Sequence, residues 1–99
     1  MPHMKLTVHT DPGHGWLFIS RLQLQTLGLT TASFTEYSYH DESGVYAEED
    51  FDAGTVLRAH AAVLGEQPQF SFVDHKIDAP CRHLPRCTGK FEDIMPALA

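Results

Sequence analysis

The sequence predicts a single α+β domain: a mostly antiparallel sheet of about five strands in the order ββαββαβ, with two helices. Several short segments alternate apolar and polar residues, which is typical of half-buried strands. Two other segments carry apolar residues at helical spacing. The length of 99 residues suits one domain with a modest core.

The first hairpin is predicted over residues 5–19. Residues 5–10 alternate, with Leu6 and Val8 on one face. The Asp-Pro-Gly sequence at 11–13 is a turn signal, because proline fixes φ and glycine accepts positive φ. The apolar run at 16–19 is the returning strand.

A short helix follows this hairpin. Ser20 and Gln23 have the spacing of a capping box, Leu24 and Leu27 lie at helical spacing, and Gly28 is placed to end the helix. Alternation then predicts a second hairpin, with strands over 33–40 and 45–49 joined by a turn at 41–44.

The second helix has the clearest periodicity. Asp52 can cap it, and Phe51 with Val56 is a candidate hydrophobic staple. The apolar positions are Ala53, Val56, Leu57, His60, Val63 and Leu64. Leu57, Val63 and Leu64 are therefore expected in the core, and a fifth strand is predicted over 69–77.

The pattern divides the chain into three parts. Residues 4–78 are expected to form the α+β domain. Residues 79–99 contain three prolines and little periodicity, which predicts a tail laid over the surface or partly disordered. Residues 1–3 are interpreted as an expression remnant, and His3 is given no function.

Composition limits the partners. A net charge of −6 argues against non-specific nucleic-acid binding, which needs a basic surface, and permits a basic protein partner or only good solubility. No apolar run reaches membrane-spanning length, so no membrane association is expected. The chain shows no secretory signal and has two cysteines, which predicts a cytoplasmic protein with thiols. A homo-oligomer is left open.

The densest chemistry lies in the first hairpin. His9, Asp11 and His14 could converge on one open position, and two imidazoles with a carboxylate are a workable zinc ligand set. The glycines at 13 and 15 could instead cradle an anion. The plainer interpretation, which is preferred, is a turn whose polar side chains are solvated or cap the backbone.

Three further groups have competing interpretations. His60 is either a buried neutral imidazole or a catalytic base. The Cys81, His83 and Cys87 spacing is not a standard zinc motif, so two loop thiols are preferred. Arg82 and Arg86 make a local positive spot that could bind an anion or pair with the acidic run at 48–50. In the acidic group, Asp50 and Asp52 are explained by the dipole of the following helix. The other four members could mimic nucleic-acid charge, meet a basic partner or protect a sheet edge; they are Asp41, Glu42, Glu48 and Glu49.

Three motifs carry a resemblance to known proteins. They are the Asp-Pro-Gly-His-Gly-Trp run at 11–16, the Tyr-Ser-Tyr strand at 37–39 and the Glu-Glu-Asp run at 48–50. With these motifs the chain resembles small uncharacterised proteins of bacteria, phages and mobile elements. The resemblance implies a soluble intracellular protein, and it brings no activity with it.

The preferred function is a non-catalytic binding or protein-interaction module, because the chain shows no nucleophile motif, cofactor fingerprint or complete metal signature. No cofactor is expected in that case. Candidate binding residues are His9, Asp11, His14, Trp16, Tyr37 and Tyr39. The alternative is a small metal-dependent or acid–base enzyme that holds zinc with His9, Asp11 and His14.

Overall fold

The computed structural model describes residues 4–87 and confirms an α+β domain with a five-stranded sheet and two helices. The strands are β1 (Lys5–Thr10), β2 (Gly15–Ser20), β3 (Tyr39–Asp41), β4 (Gly44–Glu48) and β5 (Gln69–Asp74). The helices are α1 (Arg21–Leu27) and α2 (Ala53–Leu64), with short 3-10 helices at Thr31–Ser33 and Pro80–His83. The predicted expression remnant and the tail beyond residue 87 lie outside the described residues.

The strands are arranged in the order β3-β4-β2-β1-β5. Neighbouring strands are antiparallel except for β1 and β5, which are parallel. After β4 the chain continues through α2 and crosses to the edge of the sheet next to β1. Because of this crossover, β5 runs parallel to β1. The sheet is therefore mixed, and β3 and β5 are its two edges.

One face of the sheet packs against both helices and forms the main core. Alternation places the inward residues of β1, β2 and β4 on this face, as the sequence predicts. The fully or nearly fully buried members are Leu6, Leu17, Ile19, Leu24, Leu27, Phe34, Val45, Ala47 and Val56.

The ends of α1 are formed as predicted. The Ser20 hydroxyl accepts a hydrogen bond from the Gln23 amide, and the Gln23 side chain accepts one from the Ser20 amide. Gly28 ends the helix with φ of 72°, a left-handed conformation that favours glycine.

The buried side of α2 is rotated from the predicted one. Val56 and His60 are fully buried, whereas Leu57 and Leu64 are partly buried and Val63 is half exposed. His60 Nε2 accepts a hydrogen bond from the Met4 amide while Nδ1 bonds to the Glu66 carbonyl. Both ring nitrogens therefore have hydrogen-bond partners, which favours the structural role of His60 over that of a catalytic base.

The strand predicted over 33–40 is replaced mostly by a 3-10 helix and a loop, and β3 begins only at Tyr39. The cause is the buried Asp52 carboxylate, which accepts hydrogen bonds from the Thr35 amide, the Thr35 hydroxyl and the Ser38 hydroxyl. Asp52 consequently makes no side-chain cap on α2. Phe51 stacks on Tyr37 in place of the expected staple.

The opposite face of the sheet is partly covered by the segment 79–87. Ala79 and Cys81 are buried against Trp16 and Tyr39 in a second, smaller apolar cluster. Cys87 is buried in the main core. The same segment pairs with the outer edge of β3, where the His40 amide donates to the Pro85 carbonyl. Both cysteines are thiols.

Candidate functional site

The hairpin trio His9, Asp11 and His14 does not converge. Each of the three side chains has its own surroundings: His9 contacts His75, Asp11 binds Arg82, and His14 lies beside Glu48. The zinc geometry expected of the three together is therefore not formed.

Asp11 is a structural centre that ties the hairpin turn to the segment 79–87. Its carboxylate accepts hydrogen bonds from the amides of Gly13, His14 and Ala79 at 2.9–3.0 Å. Arg82 donates to it twice, at 2.6 Å from Nε and 2.9 Å from Nη2. The Arg82 bond and the amide bonds hold the pKa of Asp11 far below its usual range, although burial opposes this. Both oxygens are occupied, so the carboxylate is a poor metal ligand.

His9 lines a small pocket on the sheet face opposite the helices. Tyr46 and Cys81 also line this pocket. His9 Nδ1 lies 3.1 Å from His75 Nε2, so one ring nitrogen donates a hydrogen bond to the other. Burial, and then repulsion from His75, lowers the pKa of His9. Burial also raises the pKa of the Cys81 thiol to about 11, which keeps it protonated at neutral pH.

The other predicted residues meet at an open cleft of about 210 Å³, which we call the aromatic cleft. It lies where the start of β2, the end of β4, the loop before β3 and the segment 79–87 come together. Its lining residues are His14, Trp16, Tyr37, Tyr39, Glu48, Asp50, Phe51, Arg82 and Arg86.

Two stacked pairs build one side of the aromatic cleft. The Arg82 guanidinium carbon lies 4.8 Å from the centre of the Trp16 ring, and that of Arg86 lies 4.9 Å from the centre of the Tyr39 ring. Among the residues that the structure describes, no acceptor reaches the buried Trp16 indole N–H. Stacking therefore orients the tryptophan, and Asp11 fixes the arginine above it.

The rim of the aromatic cleft carries an exposed aromatic pair. Tyr37 and Phe51 stack with ring centres 4.7 Å apart. Their side chains are 47% and 58% exposed, although burying rings of this size would be favourable. The pair presents an apolar surface to any ligand that enters the cleft.

The third side is acidic. Glu48 is almost fully buried, and its Oε1 accepts hydrogen bonds from the amides of Asp50 and Phe51. Its Oε2 lies 3.8 Å from His14 Nδ1. Glu49 Oε1 accepts from the Gly15 amide. His14, Glu48, Glu49 and Asp50 each offer one ligand atom, and these atoms lie within 4.8 Å of one another.

The sequence located four of the nine residues that line this cleft. The structure brings His14, Trp16, Tyr37 and Tyr39 together and leaves His9 and Asp11 outside. The residues missed are Glu48, Asp50, Phe51, Arg82 and Arg86. The sequence did offer a pairing of the two arginines with the acidic run at 48–50 as one possibility. The fold brings these groups to one cleft, but Arg82 pairs with Asp11 instead.

No protein-family model, curated protein or solved structure matches this chain. Within residues 4–87, no helix is both long and apolar enough to cross a membrane.

Proposed function

We propose that this chain is a protein-interaction module whose aromatic cleft receives a basic side chain, lysine or arginine, of a partner protein. We propose that the module is non-catalytic. The thiols of Cys81 and Cys87 are consistent with a protein of the reducing cytoplasm.

The observation that carries the proposal is that the Glu48 carboxylate is held in place and shielded from solvent. Two backbone amides fix its Oε1, so the carboxylate is held in one orientation at the cleft. Its side chain is only 7% exposed, yet the His14 nitrogen beside Oε2 lies at 3.8 Å, beyond hydrogen-bond length. Within residues 4–87, no arginine or lysine forms an ion pair with this shielded carboxylate, so it attracts an incoming ammonium or guanidinium group.

Most of the neighbouring groups favour the same ligand, and the Arg86 guanidinium on Tyr39 is the exception. Glu49 and Asp50 add negative charge, and the stacked Tyr37 and Phe51 rings offer faces that attract cations. Arg82 is neutralised by Asp11, so it opposes a basic ligand only weakly. The net charge of −6 acts over longer distances to bring a basic partner closer.

The test is a titration with short peptides that differ at one central position, lysine, arginine or glutamate, followed by amide chemical shifts and by the emission of the single tryptophan. Saturable shifts at Gly15 and Phe51 are expected for the two basic peptides only. Equal responses to all three peptides, or none, would contradict the proposal.

A matched pair of variants controls this experiment. Glu48→Gln keeps an oxygen for the Asp50 and Phe51 amides but removes the charge, and we expect it to weaken binding about tenfold or more. Glu42→Gln removes the same charge from an exposed turn away from the cleft and should bind like the parent. Similar loss in both variants would indicate a general charge effect.

A divalent cation is the second candidate ligand, and the grouping of His14, Glu48, Glu49 and Asp50 favours it. In this arrangement His14 keeps the role expected for zinc, while carboxylates of the acidic run replace His9 and Asp11. Titration with zinc and with manganese, followed by calorimetry, distinguishes the two ligands. Tight stoichiometric binding that His14→Ala abolishes would favour the cation over the basic side chain.

A further inference from the structure

We propose that two copies of this chain associate through β5, pairing antiparallel across its outer edge to make a continuous ten-stranded sheet. This interface is separate from the aromatic cleft and does not depend on the function proposed for it.

The two edges of the sheet differ in whether their outer backbone groups are paired. The outer side of β3 is paired with the segment 85–87 through the His40 amide and the Arg86 bridge. In the part of the chain that the structure describes, no strand or segment pairs with the outer side of β5. Natural sheets protect such edges with charges, prolines or bulges, but the strand Gln-Phe-Ser-Phe-Val-Asp carries one charge, at its end.

The backbone of β5 has unused hydrogen-bonding groups on this side. The Gln69 amide donates to Met4 and the His75 amide to Thr10, so the odd-numbered residues of β5 face β1. Alternation then points the N–H and C=O groups of Phe70, Phe72 and Asp74 towards the open edge.

The side chains along this edge are unusually apolar. Phe70 and Phe72 contact each other and are 41% and 71% exposed, and Val73 on the other face is 41% exposed. Exposed apolar side chains therefore lie on both faces of this unpaired strand, and such clusters are typical of a protein interface.

The sequence of β5 selects a second copy and a register. In an antiparallel pair, the backbone N–H and C=O groups of two opposed residues either both face the partner strand or both face away from it. Opposed residues of two identical strands are therefore both even-numbered or both odd-numbered. The two-fold axis of the dimer must then pass through a residue that is opposed to its own copy. An axis at Ser71 places Phe70 opposite Phe72 of the second copy, which gathers four phenylalanines on one face. An axis at Asp74 would oppose two carboxylates, and one at Phe72 would oppose Phe70 to Asp74. An axis at Phe70 would oppose Phe72 to Pro68, which has no N–H to donate, and one at Val73 would oppose Phe72 to Asp74. Among axes at residues 70–74, only the one at Ser71 opposes the two phenylalanines to each other and to neither Asp74 nor Pro68.

The first test is the mass in solution, measured by light scattering and sedimentation over a wide concentration range. We expect a species of twice 11.1 kDa that dissociates on dilution. Phe72→Lys should weaken dimerisation about tenfold or more. Leu22→Lys is the matched control, because Leu22 on α1 is equally exposed, at 72%, and should remain dimeric. Circular dichroism checks that both variants fold.

The second test addresses the register. Ser71→Cys places a thiol opposite its own copy and should form an intermolecular disulfide under mild oxidation, whereas Gln69→Cys, opposite Val73, should not. A monomer at all concentrations, or a dimer that tolerates Phe72→Lys, would overturn the proposal. Cross-linking of Gln69→Cys but not Ser71→Cys would overturn the register.

Discussion

Asp11 shows how a single residue can join distant parts of this chain. Its carboxylate bonds to the turn at Gly13 and also to Ala79 and Arg82, which lie 68 and 71 positions further on. The sequence favours a turn residue that caps the backbone, and it leaves a metal ligand as the alternative because a carboxylate near two histidines has that composition. Composition cannot reveal that an arginine from a distant segment occupies both oxygens.

We expect Asp11→Asn to lower the urea midpoint at neutral pH, because Arg82 loses its counter-charge beside the Trp16 ring. The folded-state pKa of Asp11 is depressed, so its stabilising effect is present above the unfolded pKa of about 3.9 and is lost as pH falls further. The difference between parent and variant should therefore shrink below about pH 4.

Glu42→Gln provides the control, since this carboxylate is exposed in the β3–β4 turn. It should leave the midpoint nearly unchanged throughout. A constant difference between Asp11→Asn and parent down to strongly acidic pH would contradict the charge argument.

His9 makes a second prediction at this scale. Burial and the neighbouring His75 lower its pKa, so protonation favours the unfolded chain. Its stabilising effect is complete above the unfolded pKa of about 6.5 and is lost as pH falls below that value. Urea midpoints measured at about pH 7.5 and about pH 5.5 should show a smaller decrease for His9→Asn than for the parent.

The exposed His83 supplies the comparison. The variant His83→Asn should keep the parental decrease between the two pH values. If both histidine variants behaved like the parent, the paired imidazoles would contribute nothing to acid sensitivity.

At the scale of elements, the best-predicted features have local causes. The capping box at Ser20 and the glycine that ends α1 are both set by neighbouring residues. The failures come from distant ones. Alternation over 33–40 indicated a strand, but Asp52 captures Thr35 and Ser38 and bends the chain away. No short-range pattern encodes such a contact.

The two valines of α2 test which side of the helix is buried. Val56 is 0% exposed and Val63 is 51% exposed, so the same substitution to alanine should have different effects. Val56→Ala is expected to cost about 1.5–3 kcal/mol of unfolding free energy. Val63→Ala should stay within roughly 0.5 kcal/mol of the parent. Equal losses in urea unfolding would show that the helix is rotated.

Asp52 gives a further test of an element boundary. Removing its carboxylate by Asp52→Ala leaves the buried Ser38 hydroxyl without an acceptor, which should cost about 1–3 kcal/mol. Asp50→Ala, at the exposed end of the same loop, is the control. A neutral Asp52→Ala variant would remove the explanation for the short β3.

At the scale of the whole molecule, the two faces and edges of the sheet have different uses. The helices cover one face, and the segment 79–87 covers part of the other while it supplies two arginines to the aromatic cleft. The outer edge of β5 is on the far side of the sheet from β3 and the cleft. A dimer through β5 would therefore leave both clefts accessible to partners.

The fold also requires the segment 79–87, which lies beyond the domain predicted from the sequence. Trp16 is 2% exposed because Ala79, Cys81 and the Arg82 guanidinium cover it. A chain that ends at residue 78, the end of the domain predicted from sequence, should expose the indole, shift its emission to the red and unfold at a lower temperature. A chain that ends at residue 87 is the matched comparison, because it keeps every one of these contacts.

If the two chains had the same emission and the same melting temperature, the segment would contribute nothing to the fold, and its arginines could not be fixed parts of the cleft. We expect the shorter chain to lose peptide binding together with tryptophan burial, since Arg82 and Arg86 leave with the segment that covers Trp16 and Tyr39.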